Sequence, residues 1–374
     1  MPQPQDVIAL AAAMVAIDSR SSISNLAVAE LAEAALPGFA IERLDYTDAA
    51  GVAKRALVAA APGPDGRMTG GLAFSGHLDT VPDTGWTTDP WSARVADGHL
   101  HGLGSTDMKG PLAAAMIAAR QLAGRAPALL LITTDEETTK AGARIIAERS
   151  RLAQEARPRG ILVVEPTGMA PVRGHRSHIL FTAEALGEQA HSSTGKGRNA
   201  NWALIPFLAE MKTVFARLRE DPALQDAAYD PPFSDFNLVI DNHGAAVNVT
   251  VPLATARIKF RRSARVDPAP VVQAVREAAA RAGLRLTEAT EGRPPELPED
   301  HPLVALCANR VGAAARTAPY GTDASELQAI APCVVLGPGD IGVAHKPGES
   351  VSVAALEAAV PVFIDLALAV AAEN

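Results

Sequence analysis

Short apolar runs that end in polar clusters recur along the chain. Each run has the length of a β-strand and is rich in branched side chains. Ala-rich stretches of helical character separate the runs, as at 111–123 and 141–154. This alternation predicts an α/β fold with a mixed, largely parallel sheet flanked by helices, in which ligands bind beyond the carboxyl ends of the strands. With the polar residues that follow them, the runs span 72–79, 128–137, 160–167 and 333–340.

The middle of the chain shows a different order of elements, β-α-β-β-α-β. That order is typical of a ferredoxin-like α+β sandwich. We therefore predict an inserted domain at 176–292 and a first domain formed by 1–175 and 293–374. Two domains agree with the length of 374 residues, since one domain commonly has about 100–200. The predicted elements of the insert are a strand at 178–186, a helix at 201–220, strands at 236–242 and 255–262, a helix at 269–283 and a strand at 284–290.

Composition narrows the choice of partners and compartment. The net charge of -8 argues against nucleic acid, because phosphate binding needs a basic face. Two cysteines, Cys307 and Cys333, are too few for a disulfide framework, so we expect a reducing cytoplasm. The apolar stretch at 7–17 lacks the basic start of a signal peptide, and no apolar run reaches the length of a membrane span. We expect a soluble protein that binds no membrane.

Two of the polar clusters offer metal ligands that could equally be ordinary loop residues. His77 and Asp79 are two apart at a strand end, so their side chains point to the same side. A carboxylate can orient a metal-binding imidazole, but a polar loop often carries the same pair. Asp107 lies in a Gly-rich loop before a helix, where an aspartate is commonly an N-cap. The alternative is a carboxylate that bridges two cations.

The remaining clusters strengthen the metal hypothesis. Three adjacent carboxylates, at 135–137, follow a run that is apolar on both faces and is therefore predicted to be a central strand. Glu165 and His345 follow two further strands. Imidazole and carboxylate ligands suit zinc, and also cobalt or manganese. Two such ions about 3.5–4 Å apart polarise a scissile carbonyl and supply hydroxide, while an unligated carboxylate moves the proton.

These clusters resemble the motifs of the M20 metallopeptidase family, which includes acetylornithine deacetylases, succinyl-diaminopimelate desuccinylases and glutamate carboxypeptidases. The segment at 320–349 is most similar to the acetylornithine deacetylase branch. The resemblance implies a zinc-peptidase-like catalytic domain with two divalent metal ions, and an inserted lid domain that mediates homodimer formation. The matching motifs are SGHLDTVP (75–82), GSTDMKG (104–110), DEE (135–137), VEPT (164–167) and AHKPGES (344–350).

The resemblance also implies a role for each residue of the site. One metal would be held by His77 and Glu165, and the other by Glu137 and His345. Asp107 would bridge the two ions, with the peptide bond that follows it cis. Asp79 would orient His77. Glu136 would be the general base that takes a proton from water and passes it to the leaving amine.

Substrate contacts are also implied by resemblance. His191 matches a histidine that reaches the partner subunit's site and stabilises the oxyanion. Asn248 and an arginine match residues that grip a substrate carboxylate; counting from Asn248 gives Arg261, and counting from Pro252 gives Arg262. We prefer Arg261, although either arginine could be a solvated strand residue. Two further residues, Gly321 and Thr322, match a loop that contacts the same carboxylate.

The expected activity is removal of an N-acyl group from a small amino acid, foremost deacetylation of N-acetylornithine. The alternatives within the family are succinyl-diaminopimelate desuccinylase and a glutamate-type carboxypeptidase or dipeptidase. Two departures from the family pattern, Leu103 and the GHRSH segment at 174–178, affect the substrate rather than the metals. A non-catalytic relative would have lost a ligand or the base, and a nucleotide-binding protein would need more than the Gly-rich 337–342.

Overall fold

The structure is a computed structural model that describes residues 6–372. It divides into two compact units. The first unit comprises Met1–Gly174, Pro295–Arg316 and Thr322–Asn374, and the second comprises His175–Pro294 and Thr317–Gly321. The short Thr317–Gly321 segment belongs to the second unit, although it is distant in sequence from the rest of that unit.

The helices and strands are numbered in chain order. The strands are β1 Ala40–Thr47, β2 Ala53–Ala61, β3 Leu72–His77, β4 Arg94–Ala96, β5 His99–His101, β6 Ala128–Thr133, β7 Gly160–Val163, β8 Val172–His175, β9 Ser177–Leu186, β10 Asp235–Asp241, β11 Leu253–Arg262, β12 Arg285–Thr290, β13 Arg316–Ala318, β14 Cys333–Val335 and β15 Ser350–Ser352. The α-helices are α1 Val7–Val15, α2 Leu26–Ala34, α3 Lys109–Leu122, α4 Ala141–Arg149, α5 Arg151–Ala156, α6 Asn201–Glu220, α7 Ala269–Arg281, α8 Pro302–Val311, α9 Ala324–Leu327 and α10 Val353–Ala372.

An eight-stranded sheet in the order β1-β2-β6-β3-β7-β14-β8-β13 forms the centre of the first unit. The four strands β6, β3, β7 and β14 run parallel, whereas β1 and β2 join antiparallel at one side and β8 joins β14 antiparallel at the other. Every residue of β3 and β6 is buried, because helices cover both faces. The predicted mixed, largely parallel sheet flanked by helices is therefore confirmed.

Helices with small and branched side chains pack on this sheet. All but two residues of α3 are buried, and it packs between the sheet and the helices α1 and α10. The expectation that no apolar run reaches the length of a membrane span was wrong: among the described residues, one helix, α10, is long and apolar enough to span one. One side of it, which includes Leu356, Phe363 and Leu366, is buried in the core of the first unit, as is usual for the core helix of a globular domain.

One predicted helix proves to be two. The stretch expected at 141–154 is broken at Ser150, whose backbone is extended and whose side chain caps α5 by accepting the N–H of Ala153. The Ser150 hydroxyl also donates to Glu42 on β1. The sequence pattern could not show this break, because it depends on a residue 108 positions away.

The second unit has the β9-α6-β10-β11-α7-β12 order predicted for the insert. Its four strands form one antiparallel sheet in the order β10-β11-β9-β12. Buried and half-buried residues alternate along β9, because one face carries the two helices. Aromatic side chains of Phe181, Phe207 and Phe260 lie in the core between sheet and helices. The ferredoxin-like architecture is confirmed.

Candidate metal centre

The carboxyl ends of the parallel strands meet at one edge of the sheet in the first unit. His77 is the last residue of β3, and Glu165 follows β7 closely. Glu136 and Glu137 follow the end of β6, and His345 lies in the segment after β14. Because these strands are parallel neighbours, residues far apart in the sequence arrive at one place.

His77 is buried, and both of its ring nitrogens have partners. Nδ1 lies 2.9 Å from the backbone carbonyl oxygen of Asp79, and Nε2 lies 3.1 Å from Oδ1 of Asp107. Because a carbonyl only accepts, Nδ1 carries a proton, and Nε2 is the nitrogen that faces Asp107 and would be free to bind a cation. The Asp79 carboxylate, at 3.6 Å from Nδ1, accepts the backbone N–H groups of Glu136 at 3.1 Å and Glu137 at 3.3 Å. Thus the Asp79 backbone orients His77, and the Asp79 side chain holds the turn that carries the three carboxylates at 135–137, which we call the acidic turn.

Asp107 lies between two imidazoles. Its Oδ1 is 3.1 Å from His77 Nε2, and its Oδ2 is 3.1 Å from His345 Nε2. Burial raises the pKa of Asp107, but the hydrogen bonds from His345 and His77 outweigh burial and hold it below its usual range. The peptide bond after Asp107 is cis. A carboxylate with one oxygen toward each imidazole has the placement that a bridging ligand needs.

Glu137 and Glu165 complete the cluster. Glu137 Oε1 is 2.9 Å from His345 Nε2, and Glu165 Oε1 is 4.0 Å from His77 Nε2. Burial raises the pKa of Glu137 to about 8, and the charge of Asp107 adds to this effect. The same two causes raise the pKa of Glu165 well above its usual value. Hydrogen bonds to Asp107 and Glu137 raise the pKa of His345 to about 11.

The chemistry of this cluster fits divalent cations. Buried carboxylates that repel one another are costly without a compensating positive charge. A bound cation supplies that charge and takes the imidazoles in their neutral form. Imidazole nitrogen and carboxylate oxygen suit zinc, cobalt or manganese. Two groups of three side chains each have their candidate ligand atoms within 4.8 Å of one another. One group is His77, Glu136 and Glu165, and the other is His77, Asp107 and Glu137.

Glu136 has charged neighbours that the sequence analysis did not single out. Its Oε1 lies 3.0 Å from Nζ of Lys140. Asp323 is buried and accepts a hydrogen bond of 2.5 Å from the Thr133 hydroxyl. Burial raises the pKa of Asp323 to about 8, and the charge of Glu136 adds to this. The proximity of Lys140 to Glu136 in the sequence was a weak signal, but nothing in the pattern indicated that Asp323 is buried beside β6.

The sequence analysis also assigned no role to Glu349, a buried residue of the first unit. Its Oε1 accepts the backbone N–H groups of Thr106 at 2.9 Å and Asp107 at 3.0 Å. Burial raises the pKa of Glu349 to about 7, and the charge of Asp107 adds to this. The AHKPGES motif contained this glutamate, but its partners are 242 and 243 positions away. Glu349 therefore fixes the loop that carries Asp107.

Two of the predicted substrate contacts, His191 and Asn248, lie on adjacent segments of the second unit. The residues His191 and Val249 form an isolated β-bridge, and the Ser192 N–H donates to the carbonyl oxygen of Asn248 at 3.0 Å. Both His191 and Asn248 are exposed. The ring of His191 is oriented by Ser193, whose hydroxyl lies 2.8 Å from Nδ1.

The two arginines that the sequence left open have different surroundings in the second unit. Arg261 pairs with Asp235 at 2.8 Å and lines a cavity of about 380 Å³ together with Arg176 and Tyr320. Arg262 donates to two carbonyl oxygens of the following loop, those of Ser263 and Val266. Of the two, Arg261 is therefore the one that borders a cavity, whereas the guanidinium of Arg262 is hydrogen-bonded to the backbone of the following loop.

The last two predicted contacts fall at a boundary of the units. Gly321 ends the short segment of the second unit, and Thr322 begins the last segment of the first. Thr322 is 1% exposed, and its hydroxyl accepts the N–H of Ala324 at the start of α9. The Thr322 side chain is thus hydrogen-bonded to the backbone two residues ahead rather than facing solvent.

Comparison with known proteins gives the same family as the motifs. The profile of peptidase family M20/M25/M40 matches residues 73–369. An acetylornithine deacetylase from Myxococcus xanthus is 34% identical over 358 residues, which cover 91% of each chain. A dipeptidase structure from Saccharomyces cerevisiae has a TM-score of 0.73 at 13% identity, over 98% of this chain and 96% of that one.

A second similar structure is that of a dinuclear metal-binding peptidase of the M20 family from Bacillus subtilis, with a TM-score of 0.62 at 16% identity. The similarity covers 98% of this chain and 97% of that one. The family profile matches more than half of the chain, and the curated relative matches nearly all of it. The chain is therefore a hydrolase that belongs to peptidase family M20/M25/M40.

Proposed function

We propose that this protein is a dinuclear metal-dependent amidohydrolase that converts N-acetyl-L-ornithine and water into L-ornithine and acetate. The similarity to an acetylornithine deacetylase over 91% of both chains supports the substrate. The observation that carries the reaction is the convergence of two imidazoles on one carboxylate, with His77 and His345 each 3.1 Å from Asp107. The two free, buried cysteines agree with a reducing cytoplasm.

We assign the metal ligands as follows. His77 and Glu165 would hold one ion, Glu137 and His345 would hold the other, and Asp107 would bridge them. Zinc is the metal that we propose, with cobalt and manganese as substitutes that accept the same donors. When bound, two such ions polarise the scissile carbonyl and activate a water molecule.

The chain's own residues would carry the protons. The Glu136 carboxylate accepts a proton as the water oxygen adds to the amide carbon. It then donates that proton to the amide nitrogen as the C–N bond breaks, which releases the amine and acetic acid, and the acid proton passes to the amine or to solvent to leave acetate. Asp79 keeps Glu136 and Glu137 in place by accepting their backbone N–H groups.

Residues outside the metal-ligand cluster would recognise the rest of the substrate. We assign the substrate carboxylate to Asn248 and Arg261, together with the loop at Gly321 and Thr322. The guanidinium of Arg261 can form two parallel hydrogen bonds to a carboxylate. The exposed His191 of one chain would donate to the carbonyl oxygen at the partner's site as negative charge develops there.

A substrate panel tests the proposed function. We expect N-acetylornithine to give the highest kcat/KM, above succinyl-diaminopimelate and glutamyl dipeptides. The carboxamide of N-acetylornithine should have a higher KM by about 10-fold, because a charge-assisted contact to the carboxylate contributes about 1.4 kcal/mol. Highest activity on the succinylated compound or on a dipeptide would replace the deacetylase assignment with that alternative. No activity on any of them would refute the substrate class.

We also propose a homodimer formed through the second unit. Among the described residues, β10 is an edge strand that pairs only with β11. Its central side chains Leu238, Val239 and Ile240 are 38%, 50% and 50% exposed. An apolar edge with unpaired backbone groups favours pairing with another strand. In a symmetric dimer, this edge would pair with β10 of a second copy of the chain, because a two-fold axis brings the same surface of both copies together.

Val239→Lys should therefore convert the protein from a dimer to a monomer of 38.8 kDa, because a buried lysine pair at a symmetric edge is repulsive. Size-exclusion chromatography with light scattering measures the mass. The matched control is Val95→Lys on β4 of the first unit, where the valine is 52% exposed. A Val239→Lys protein that stays dimeric, or a wild-type protein that is monomeric, would contradict this interface.

A further inference from the structure

A buried lysine lies behind the acidic turn, and no step of the reaction described above uses it. Lys54 is on β2 and is 1% exposed. Its ammonium group donates hydrogen bonds to the carbonyl oxygens of Ser21 at 2.7 Å and Ile23 at 2.8 Å. It also forms an ion pair with Oδ1 of Asp135 at 2.9 Å, so two backbone groups and one carboxylate hold the charge of Lys54.

The partner of Lys54 is the first residue of the acidic turn. Asp135 is 2% exposed and has a left-handed backbone, with φ of 61°. This region is uncommon for a residue that has a Cβ atom and persists where the surroundings hold it. Its other carboxylate oxygen, Oδ2, accepts a hydrogen bond of 2.7 Å from the Tyr46 hydroxyl. Tyr46 and Lys54 are cross-strand partners on β1 and β2, so both side chains approach Asp135 from the same face of the hairpin.

The backbone of Asp135 closes the turn that these side chains hold. Its carbonyl oxygen accepts the N–H groups of Thr138 at 3.3 Å, Thr139 at 3.0 Å and Lys140 at 2.7 Å. The two residues between this carbonyl group and its donors are Glu136 and Glu137. Any rotation of Asp135 would therefore move both carboxylates that act on the substrate or the metal.

A second path connects Lys54 to the same turn. The Ser21 carbonyl accepts from Lys54, and the Ser21 hydroxyl donates to Oδ2 of Asp79 at 2.7 Å. Asp79 in turn accepts the backbone N–H groups of Glu136 and Glu137. Lys54 is thus connected to the turn in two ways, directly through its ion pair with Asp135 and indirectly through Ser21 and Asp79.

Stability alone is a weak reason for such an arrangement. A buried ion pair commonly stabilises a fold no better than apolar residues of the same volume would. Residues that orient the ligands and catalytic groups of a metal site, in contrast, commonly change metal affinity or activity about 10–100-fold when they are replaced. We propose that Lys54, with Tyr46, is a positioning residue of the hydrolytic site, which fixes Asp135 and thereby the turn that presents Glu136 and Glu137. This inference rests on the roles proposed for those two glutamates.

The test compares Lys54→Met with the wild-type enzyme. Methionine keeps the length of the side chain but leaves Asp135 without its counter-charge. At saturating zinc, kcat on the best substrate of the panel should fall about 10–100-fold, with KM changed less than about 3-fold. Zinc affinity, measured by competition with a chromophoric chelator, should fall about 10-fold, because Glu137 is on the displaced turn.

A double-mutant cycle separates positioning from folding. In an Asp135→Asn background, Lys54→Met should lower kcat by less than about 3-fold, since the charge that it neutralises is already gone. The matched control is Arg173→Met, which removes another buried cation, one that pairs with Glu296 in the first unit. This control should lower the thermal unfolding midpoint and leave kcat and zinc affinity unchanged.

The outcomes distinguish this inference from the proposed function. A wild-type protein that binds no zinc or cleaves no substrate refutes the function, whereas the inference depends on how Lys54→Met differs from the wild type. Lys54→Met with kcat and zinc affinity within 2-fold of wild type would overturn the inference. If Lys54→Met does not fold, Tyr46→Phe, which removes one hydroxyl group, should lower kcat about 3–10-fold. An unchanged kcat in that variant would also overturn it.

Discussion

Glu136→Gln should lower kcat by about 10²–10⁴-fold, the usual contribution of a general acid–base group, while the metal content stays the same. Glutamine has the size of glutamate but cannot accept and return a proton. The backbone N–H of Glu136 is held by Asp79 at 3.1 Å, and this contact does not depend on the side chain that is exchanged. KM should change little, because the lost proton transfer acts mainly in the transition state.

Steady-state kinetics on the best substrate and elemental analysis of the purified variant measure the two quantities. The matched control is Glu148→Gln, the same exchange at an exposed position of α4, which should retain full activity. Wild-type turnover in the Glu136→Gln enzyme would show that Glu136 is not the general base. A variant that has lost its metals would show instead that Glu136 is a ligand, as its place in one of the ligand groups allows.

The sequence predicted well which imidazoles and carboxylates converge, because one rule of α/β sheets determines it. The carboxyl ends of parallel strands meet, so His77, Glu165 and the acidic turn could be placed together from strand–helix alternation. Local pattern also sufficed for the second unit, where the predicted helix at 201–220 coincides with α6, Asn201–Glu220. In both cases the sequence signal that supports the prediction lies within one helix or strand, or in the regular alternation of strands and helices.

The residues that the sequence did not predict depend on long-range pairing. Lys54 is the second residue of β2, where a lysine in the pattern suggests a solvent-facing end. It is buried only because β1 pairs with β2 and the 21–23 segment covers it. The sequence analysis assigned the orientation of His77 to the Asp79 carboxylate, whereas the Asp79 carbonyl oxygen is nearer to Nδ1, at 2.9 Å against 3.6 Å. Sequence spacing cannot tell which of the two oxygens contacts the ring. The roles of individual substrate contacts stay predictions for the same reason.

Removal of the metals should abolish activity and lower the stability of the first unit. Without cations, Asp107, Glu137 and Glu165 remain as buried carboxylates around His77 and His345. Two ions, each present at about 1,000 times its dissociation constant, would together stabilise the folded state by about 8 kcal/mol. For a domain of this size, that corresponds to a fall in the unfolding midpoint of about 15–30 °C on chelation. Activity should fall by about 10³-fold or more, because both carbonyl polarisation and water activation are lost.

Dialysis against a chelator, followed by calorimetry and assay, tests this expectation, and zinc, cobalt or manganese should restore the activity. The chelator already saturated with zinc is the control for effects of the chelator itself. Asp107→Asn should bind fewer than two ions and should not regain activity at any metal concentration, since an amide cannot bridge two cations as a carboxylate does. A chelated protein that keeps its activity and its unfolding midpoint would contradict the dinuclear centre, because the buried acids would then have to be stable and functional without any cation between them.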